Sequence, residues 1–179
     1  MSEELIIAGF GGQGVLSMGK ILAYTALMKG QHVSWLPSYG PEMRGGTANV
    51  TVILGDEEVS SPVLNKFDSA IILNQPSLDK FESSVKPGGV LIYDTNGITK
   101  APSRTDIKIY KIQAAETAAK LNMSKVFNMM VLGAYLKVKP LLSLEDILEG
   151  LKKSLPERHH KLLPVNEKAL LMGGDMILE

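Results

Sequence analysis

The residues best suited to chemistry lie in the stretch Gly9-Phe10-Gly11-Gly12-Gln13-Gly14. Gly9, Gly11 and Gly14 fit the G-x-G-x-x-G spacing, after a short apolar run and before a helix-like pattern. Glycine permits positive φ and puts no Cβ in the way of a close ligand. The free N–H groups at the start of a helix point outward, and the helix dipole favours an anion there. Gly11, Gly12, Gln13 and Gly14 are therefore candidates to cradle a phosphate through backbone N–H groups. The alternative is a tight strand-to-helix turn with no ligand, since a fold does not fix a function. Classical NAD binding is disfavoured. It asks for a carboxylate at the end of the second strand, and Trp35-Leu36-Pro37 stands there.

A second unusual stretch is Pro37-Ser38-Tyr39-Gly40-Pro41-Glu42-Met43-Arg44-Gly45-Gly46. It holds too many breakers for a regular element and predicts an ordered loop at the carboxyl end of the second strand, on the rim of the glycine turn. Ligands of open α/β sheets bind on that rim. Tyr39, Gly40, Pro41, Glu42, Arg44, Gly45 and Gly46 are candidates for an interface or active-site rim. The Arg44 guanidinium suits a carboxylate or phosphate, and Glu42 could orient a partner loop. Against this stands a local Glu42–Arg44 ion pair in solvent, of little energetic weight. Ser60-Ser61-Pro62 reads more simply as a turn than as part of the rim. Asn128, on an apolar helix, needs a partner if buried. Asp94 ends a strand and reads as a backbone cap. His159-His160 reads as a surface pair.

Composition narrows the partners. Lys+Arg and Asp+Glu are both 19, so nothing global attracts nucleic acid or an anionic membrane. The same neutrality is compatible with permanent assembly, including a homodimer of the isolated chain. With no cysteine, the chain can form no disulfide, thiolate zinc site or iron–sulfur ligation. Its three histidines are scattered and suggest no metal site. No apolar run approaches the ~20 residues of a membrane span, and the acidic start Ser2-Glu3-Glu4 lacks the basic opening of a signal peptide. A cytoplasmic location is the default expectation.

The elements that must position these residues follow from periodicity. Strands are predicted over 5–9, 32–36, 47–54, at 67–74, 90–94 and 107–112. Helices are predicted over 13–28, 76–84, 114–121, 126–138, from Ser143 to near Ser154, and from Pro164 with a break at Gly173-Gly174. The first helix gives a β-α-β crossover. The connection from 36 to 47 carries no helix, so the third strand should be antiparallel or offset. Lys86-Pro87-Gly88-Gly89 reads as a turn. The expected fold is a single α/β, Rossmann-like three-layer domain over 1–179, with a mainly parallel sheet and a helical C-terminal third.

Tyr-Gly-Pro-Glu-Met-Arg-Gly-Gly at 39–46, with Gly-Phe-Gly-Gly-Gln-Gly at 9–14 and Ser-Ser-Pro at 60–62, resembles the gamma subunit of 2-oxoacid:ferredoxin oxidoreductases. Gly88-Gly89 and Asn128-Met129-Met130-Val131-Leu132-Gly133-Ala134 are similar to the same family, so the resemblance spans nearly the whole chain. It implies a complex that oxidatively decarboxylates a 2-oxoacid, with 2-oxoglutarate favoured, to an acyl-CoA and CO2 while reducing ferredoxin. It further implies alpha and beta subunits that bind thiamine diphosphate and Mg2+, a ferredoxin-like delta subunit or domain carrying iron–sulfur clusters, and external ferredoxin as acceptor. The chain would carry no catalytic residue of its own. It would border the thiamine site, where residues 11–14 either hold part of CoA or pack against a partner. The alternative is a stand-alone nucleotide- or acyl-CoA-binding module.

Overall fold

The computed structural model describes residues 2–39 and 47–178, with the side chain of Tyr39 outside the description. Six strands form one sheet in the order β2-β3-β1-β4-β5-β6. They are β1 (Ser2–Phe10), β2 (His32–Tyr39), β3 (Thr47–Gly55), β4 (Phe67–Ile72), β5 (Val85–Asp94) and β6 (Lys108–Ile112). β1, β4, β5 and β6 run parallel, and β3 runs antiparallel to both neighbours. The helices are α1 (Val15–Met28), α2 (Gln75–Phe81), α3 (Ala114–Lys120), α4 (Phe127–Val138), α5 (Leu144–Ser154) and α6 (Leu163–Asp175).

Strand alternation builds two unequal cores. Leu5, Ile7, Val50, Val52, Ile71 and Ile92 face one side, where α1, α3, α4, α5 and α6 cover them. Ile6, Ala8, Ala70, Ile72 and Leu91 face the other, packed against Leu78 of α2. The mainly parallel three-layer arrangement and helical C-terminal third match the expectation.

Four local expectations change. The β1-α1-β2 unit exists, but β3 is inserted between its strands, because β3 folds straight back from β2 and pairs with both. Pro37, Ser38 and Tyr39 are the end of β2, not loop. β2 is a sheet edge, where a missing proline N–H costs no ladder bond. Residues 86–89 are an excursion within β5 rather than a turn outside it. Phe67 pairs with Val85 and Ser69 with Val90, and Gly88 takes φ +77°. Gly173-Gly174 does not break α6. A Cβ on Gly173 would strike the Met130 carbonyl, and one on Gly133 the Leu170 carbonyl, so these glycines let α4 and α6 touch backbone to backbone. The cap at Ser143 is a full box: its hydroxyl accepts from Asp146 N at 3.1 Å, and Asp146 accepts from Ser143 N at 3.0 Å.

Candidate functional site

The glycine turn sits where the sheet changes direction. α1 leaves β1 toward one face and α2 leaves β4 toward the other, which opens a crevice at the carboxyl ends of these neighbours. The turn is pinned into it. Leu73 N donates to Ala8 O at 2.9 Å. The Gln13 side chain accepts from Phe10 N at 2.6 Å and donates to Leu73 O at 3.3 Å. It lies over Gly9, where a Cβ would be 2.5 Å from Gln13 Oε1. Gln13 N also donates to Phe10 O at 3.3 Å. Gln13 thus fastens the turn from below.

The other three candidates carry the open donors. Gly12 has φ +90° and clear space around its Cβ position, and Gly14, the N-cap of α1, has φ +75° and no side-chain cap. The first intrahelical bond runs from Met18 N to Gly14 O. Among the described residues, no backbone acceptor meets the N–H groups of Gly11, Gly12, Gly14, Val15, Leu16 or Ser17. Gly12 is exposed and Gly11 and Gly14 are half-buried, so the donors reach solvent. The first turn of α1 holds no carboxylate, leaving its positive dipole end uncompensated.

The second candidate stretch approaches from the sheet. Phe10 pairs with Thr47 and Tyr39 with Ala48. Thr47 therefore lies beside the last residue of β1, directly before the glycine turn, and Tyr39 lies one strand further out on the same side. Gly40, Pro41, Glu42, Arg44, Gly45 and Gly46 themselves lie outside the described residues, and Tyr39 is the last residue of β2.

The rest of the rim is held by buried polar groups. Asp94 accepts from Asn96 N and Ala115 N, both at 2.9 Å, tying the end of β5 to the start of α3. Burial pushes its carboxyl above the ordinary range, against the pull of those backbone donors. Asn74, fully buried, caps α2 by accepting from Ser77 N at 2.9 Å. The Asn-x-Pro pattern at 74–76 could have revealed that cap. Ser61 bonds only locally, to Val63, as a turn residue does. Asn128 is half-buried and fills the space a Cβ on Gly14 would need, so α4 buttresses the turn. His160 contacts Leu155 O at 3.0 Å, and both histidines are half-buried. Among the described residues, no three His, Cys, Asp or Glu side chains gather as a metal site, and no helix is long and apolar enough to cross a membrane.

Known proteins share this plan. The family model described as pyruvate ferredoxin/flavodoxin oxidoreductase matches residues 4–176. The ketoisovalerate oxidoreductase subunit VorA of Methanothermobacter thermautotrophicus is 38% identical over 174 residues, 97% of this chain and 36% of the relative. The chain thus spans about a third of that relative's length. The 2-oxoglutarate synthase subunit KorC of Methanocaldococcus jannaschii is 32% identical over 160 residues, 88% of this chain and 86% of the relative. In structure, the gamma subunit of keto/oxoacid ferredoxin oxidoreductase from Geobacter sulfurreducens superposes with a TM-score of 0.83 at 29% identity, covering 98% of this chain and 96% of that one. The chain belongs to the pyruvate ferredoxin/flavodoxin oxidoreductase family.

Proposed function

We propose that this chain is the gamma subunit, a single domain over residues 1–179, of a complex that oxidatively decarboxylates 2-oxoglutarate to succinyl-CoA and CO2 and passes two electrons to ferredoxin. Partner chains hold the thiamine diphosphate, Mg2+ and iron–sulfur clusters; this chain has no cysteine to ligate a cluster. CoA, when bound, supplies the thiol that takes the acyl group. One observation carries the role of this chain: a row of N–H groups of Gly11, Gly12, Gly14 and the first turn of α1 that meet no described backbone acceptor, with Gly12 exposed, at the carboxyl rim of the sheet. Such a row suits a phosphate of CoA. Gln13 orients that row from beneath. To residues 39–46 we assign an interface or active-site-rim role, for which the Arg44 guanidinium suits a carboxylate or phosphate.

The test is a complex assembled with its partner chains and assayed with viologen as acceptor. Gly12→Asp places a carboxylate among the donors, and its KM for CoA should rise by roughly tenfold or more, the size of one lost charge-assisted contact. The KM for the 2-oxoacid should not change, and Gly12→Ala separates backbone strain from charge. An unchanged KM for CoA in Gly12→Asp removes the phosphate role. A panel of 2-oxoacids decides the substrate. 2-Oxoglutarate is favoured because a KorC subunit matches as a separate chain over most of its own length. A branched-chain 2-oxoacid is the second reading, since the ketoisovalerate relative is the more identical of the two.

A further inference from the structure

A groove of about 1080 Å3 opens on the outer side of α1, away from the sheet. One wall is a stripe of α1 itself: Ser17, Lys20, Ile21 and Tyr24, spaced i, i+3, i+4, i+7. The opposite walls come from the turn at 122–126, the start of α4, the end of α5 and the start of α6. Its floor is apolar, with Ile21, Met123, Met129 and Leu151 buried and Leu162 exposed at the lip. Methionines make a floor that adapts to what lies on it.

Charge distinguishes this groove. The whole chain is neutral, yet the groove is lined by Lys20, Lys125 and Lys153 and by no carboxylate. Lys153 pairs with Glu149 one turn back on its own helix, an exposed i, i+4 contact. Lys20 and Lys125 are exposed and make no ion pair with a described residue. An apolar channel bordered by uncompensated cations is complementary to a rod with an apolar face and acidic borders. The volume lies at the upper limit of small-ligand pockets, roughly 300–1,000 Å3. The walls offer helix side chains; of the residues in the open N–H row only Ser17 borders the groove, and Gly11, Gly12 and Gly14 do not line it. The curated relative of which this chain spans 36% carries additional polypeptide on the same chain, so a homologous domain works beside a larger body.

We propose that this groove receives an amphipathic, acid-bordered helix from a partner subunit, lying along α1 with its apolar face on Met123, Met129 and Leu151 and its carboxylates at Lys20 and Lys125. The proposal rests on the reading of this chain as a subunit and adds a second contact surface, next to the glycine-turn rim and meeting it at Ser17 and Asn128. The helix would run about two turns against the 17–24 stripe, roughly 10 Å at 1.5 Å per residue.

The experiment uses the complex co-expressed with its partner chains. Lys20→Glu/Lys125→Glu changes two exposed side chains, and the variant should keep the circular dichroism spectrum and Tm of the parent. Its affinity for the partner chains should fall on the order of 100-fold, and parental assembly should weaken with rising salt. The milder Lys20→Gln/Lys125→Gln should fall in between. A photo-crosslinking residue at position 162 should attach to a carboxylate-bearing helix of a partner subunit, mapped by mass spectrometry. If the parent assembles and the Glu variant assembles equally well, the inference is wrong while the subunit reading stands. If assembly is unchanged and only the KM for CoA rises, the groove holds a small anion and the inference is again wrong. A parent that retains no partner chain removes both.

Discussion

The two rims of the sheet are built on opposite principles. At the amino rim, the carboxylates of Glu3, Glu4 and Asp68 are all paired within the chain. Glu3, almost fully buried, accepts from the Ser69 hydroxyl, from Tyr135 at 3.0 Å and from Lys139 at 3.0 Å. Beside it, Lys86 spans Glu4 and Asp68, and Asp68 also accepts from Glu4 N at 2.9 Å. At the carboxyl rim, backbone donors of the glycine turn and of the start of α1 meet no described acceptor, and the polar side chains that are satisfied, such as Gln13 and Asp94, serve to hold the open segment in place. A saturated rim contributes stability; an unsaturated one is stable only because solvent or a ligand completes it. The contrast separates what holds this fold from what it presents to others.

The largest expected effect is at the amino rim. Burial, then the Glu3 charge, holds the Tyr135 hydroxyl well above its ordinary pKa, so it remains a donor throughout the physiological range. Glu3→Ala strands that hydroxyl and the Lys139 ammonium together. Breaking a buried pair in this way costs about 3–5 kcal/mol; partial exposure of Lys139 places the expectation at the lower end, about 3 kcal/mol. Urea unfolding measures it. In assembled complex that remains folded, the KM for CoA should equal the parent value. A loss below about 1 kcal/mol, the size of one ordinary hydrogen bond, would erase the distinction between the rims.

Next comes the buttress of the open rim. Gly14 has φ +75°, and a Cβ there would lie 2.6–2.7 Å from Asn128 atoms. Gly14→Ala should cost about 2 kcal/mol, from left-handed strain of ~1–2 kcal/mol together with the displaced amide. In an Asn128→Ala background the collision disappears and only the strain stays. A thermodynamic cycle should therefore show coupling of about 0.5–1 kcal/mol between the two positions. Strict additivity would mean that α4 does not brace the turn.

The pattern of glycines, caps and apolar alternation made much of this legible in the sequence. Leu5 to Gly9 and Val90 to Asp94 declared buried strands by composition alone, and Ser143 with Asp146 declared a helix start. The glycine turn was legible as a donor site because its spacing follows directly from local sterics. What stayed hidden depends on contacts between distant segments. The insertion of β3 between β1 and β2 is a pairing choice that local periodicity does not encode. Gly173-Gly174 looked like a break, and only the approach of α4 explains why glycine stands inside a helix. That the Gln13 side chain reaches the Leu73 carbonyl was not legible either, since β4 brings that partner from far along the chain. Lys20, Lys125 and Lys153 are unremarkable as sequence, since only the packing of α1, α4, α5 and α6 assembles them around one groove.

The smallest expected effect tests whether burial, rather than the number of partners, sets the worth of a saturated carboxylate. Asp146 has a partner set comparable to that of Glu3: it bonds Lys29 at 2.8 Å and the Ser143 backbone at 3.0 Å, while its own N–H meets the Ser143 hydroxyl. Its side chain is 20% exposed against 5% for Glu3, however, and its Lys29 partner is 47% exposed, so solvent competes. The Lys29 ammonium first, and Ser143 second, lower its pKa from 3.8 to about 2. A carboxylate with a lowered pKa stabilises the folded state above its unfolded value, and that stability is lost as pH falls through the folded one. Asp146→Asn keeps the shape of the cap and removes the charge, so it should cost only about 0.5–1 kcal/mol at neutral pH. The gap between parent and variant should close as pH falls from near 4 to near 2, and added salt should narrow it at neutral pH. Tm measured against pH for the two proteins gives both quantities. A loss at neutral pH as large as that of Glu3→Ala would mean that the partners, and not the dry setting of the amino rim, make its network strong.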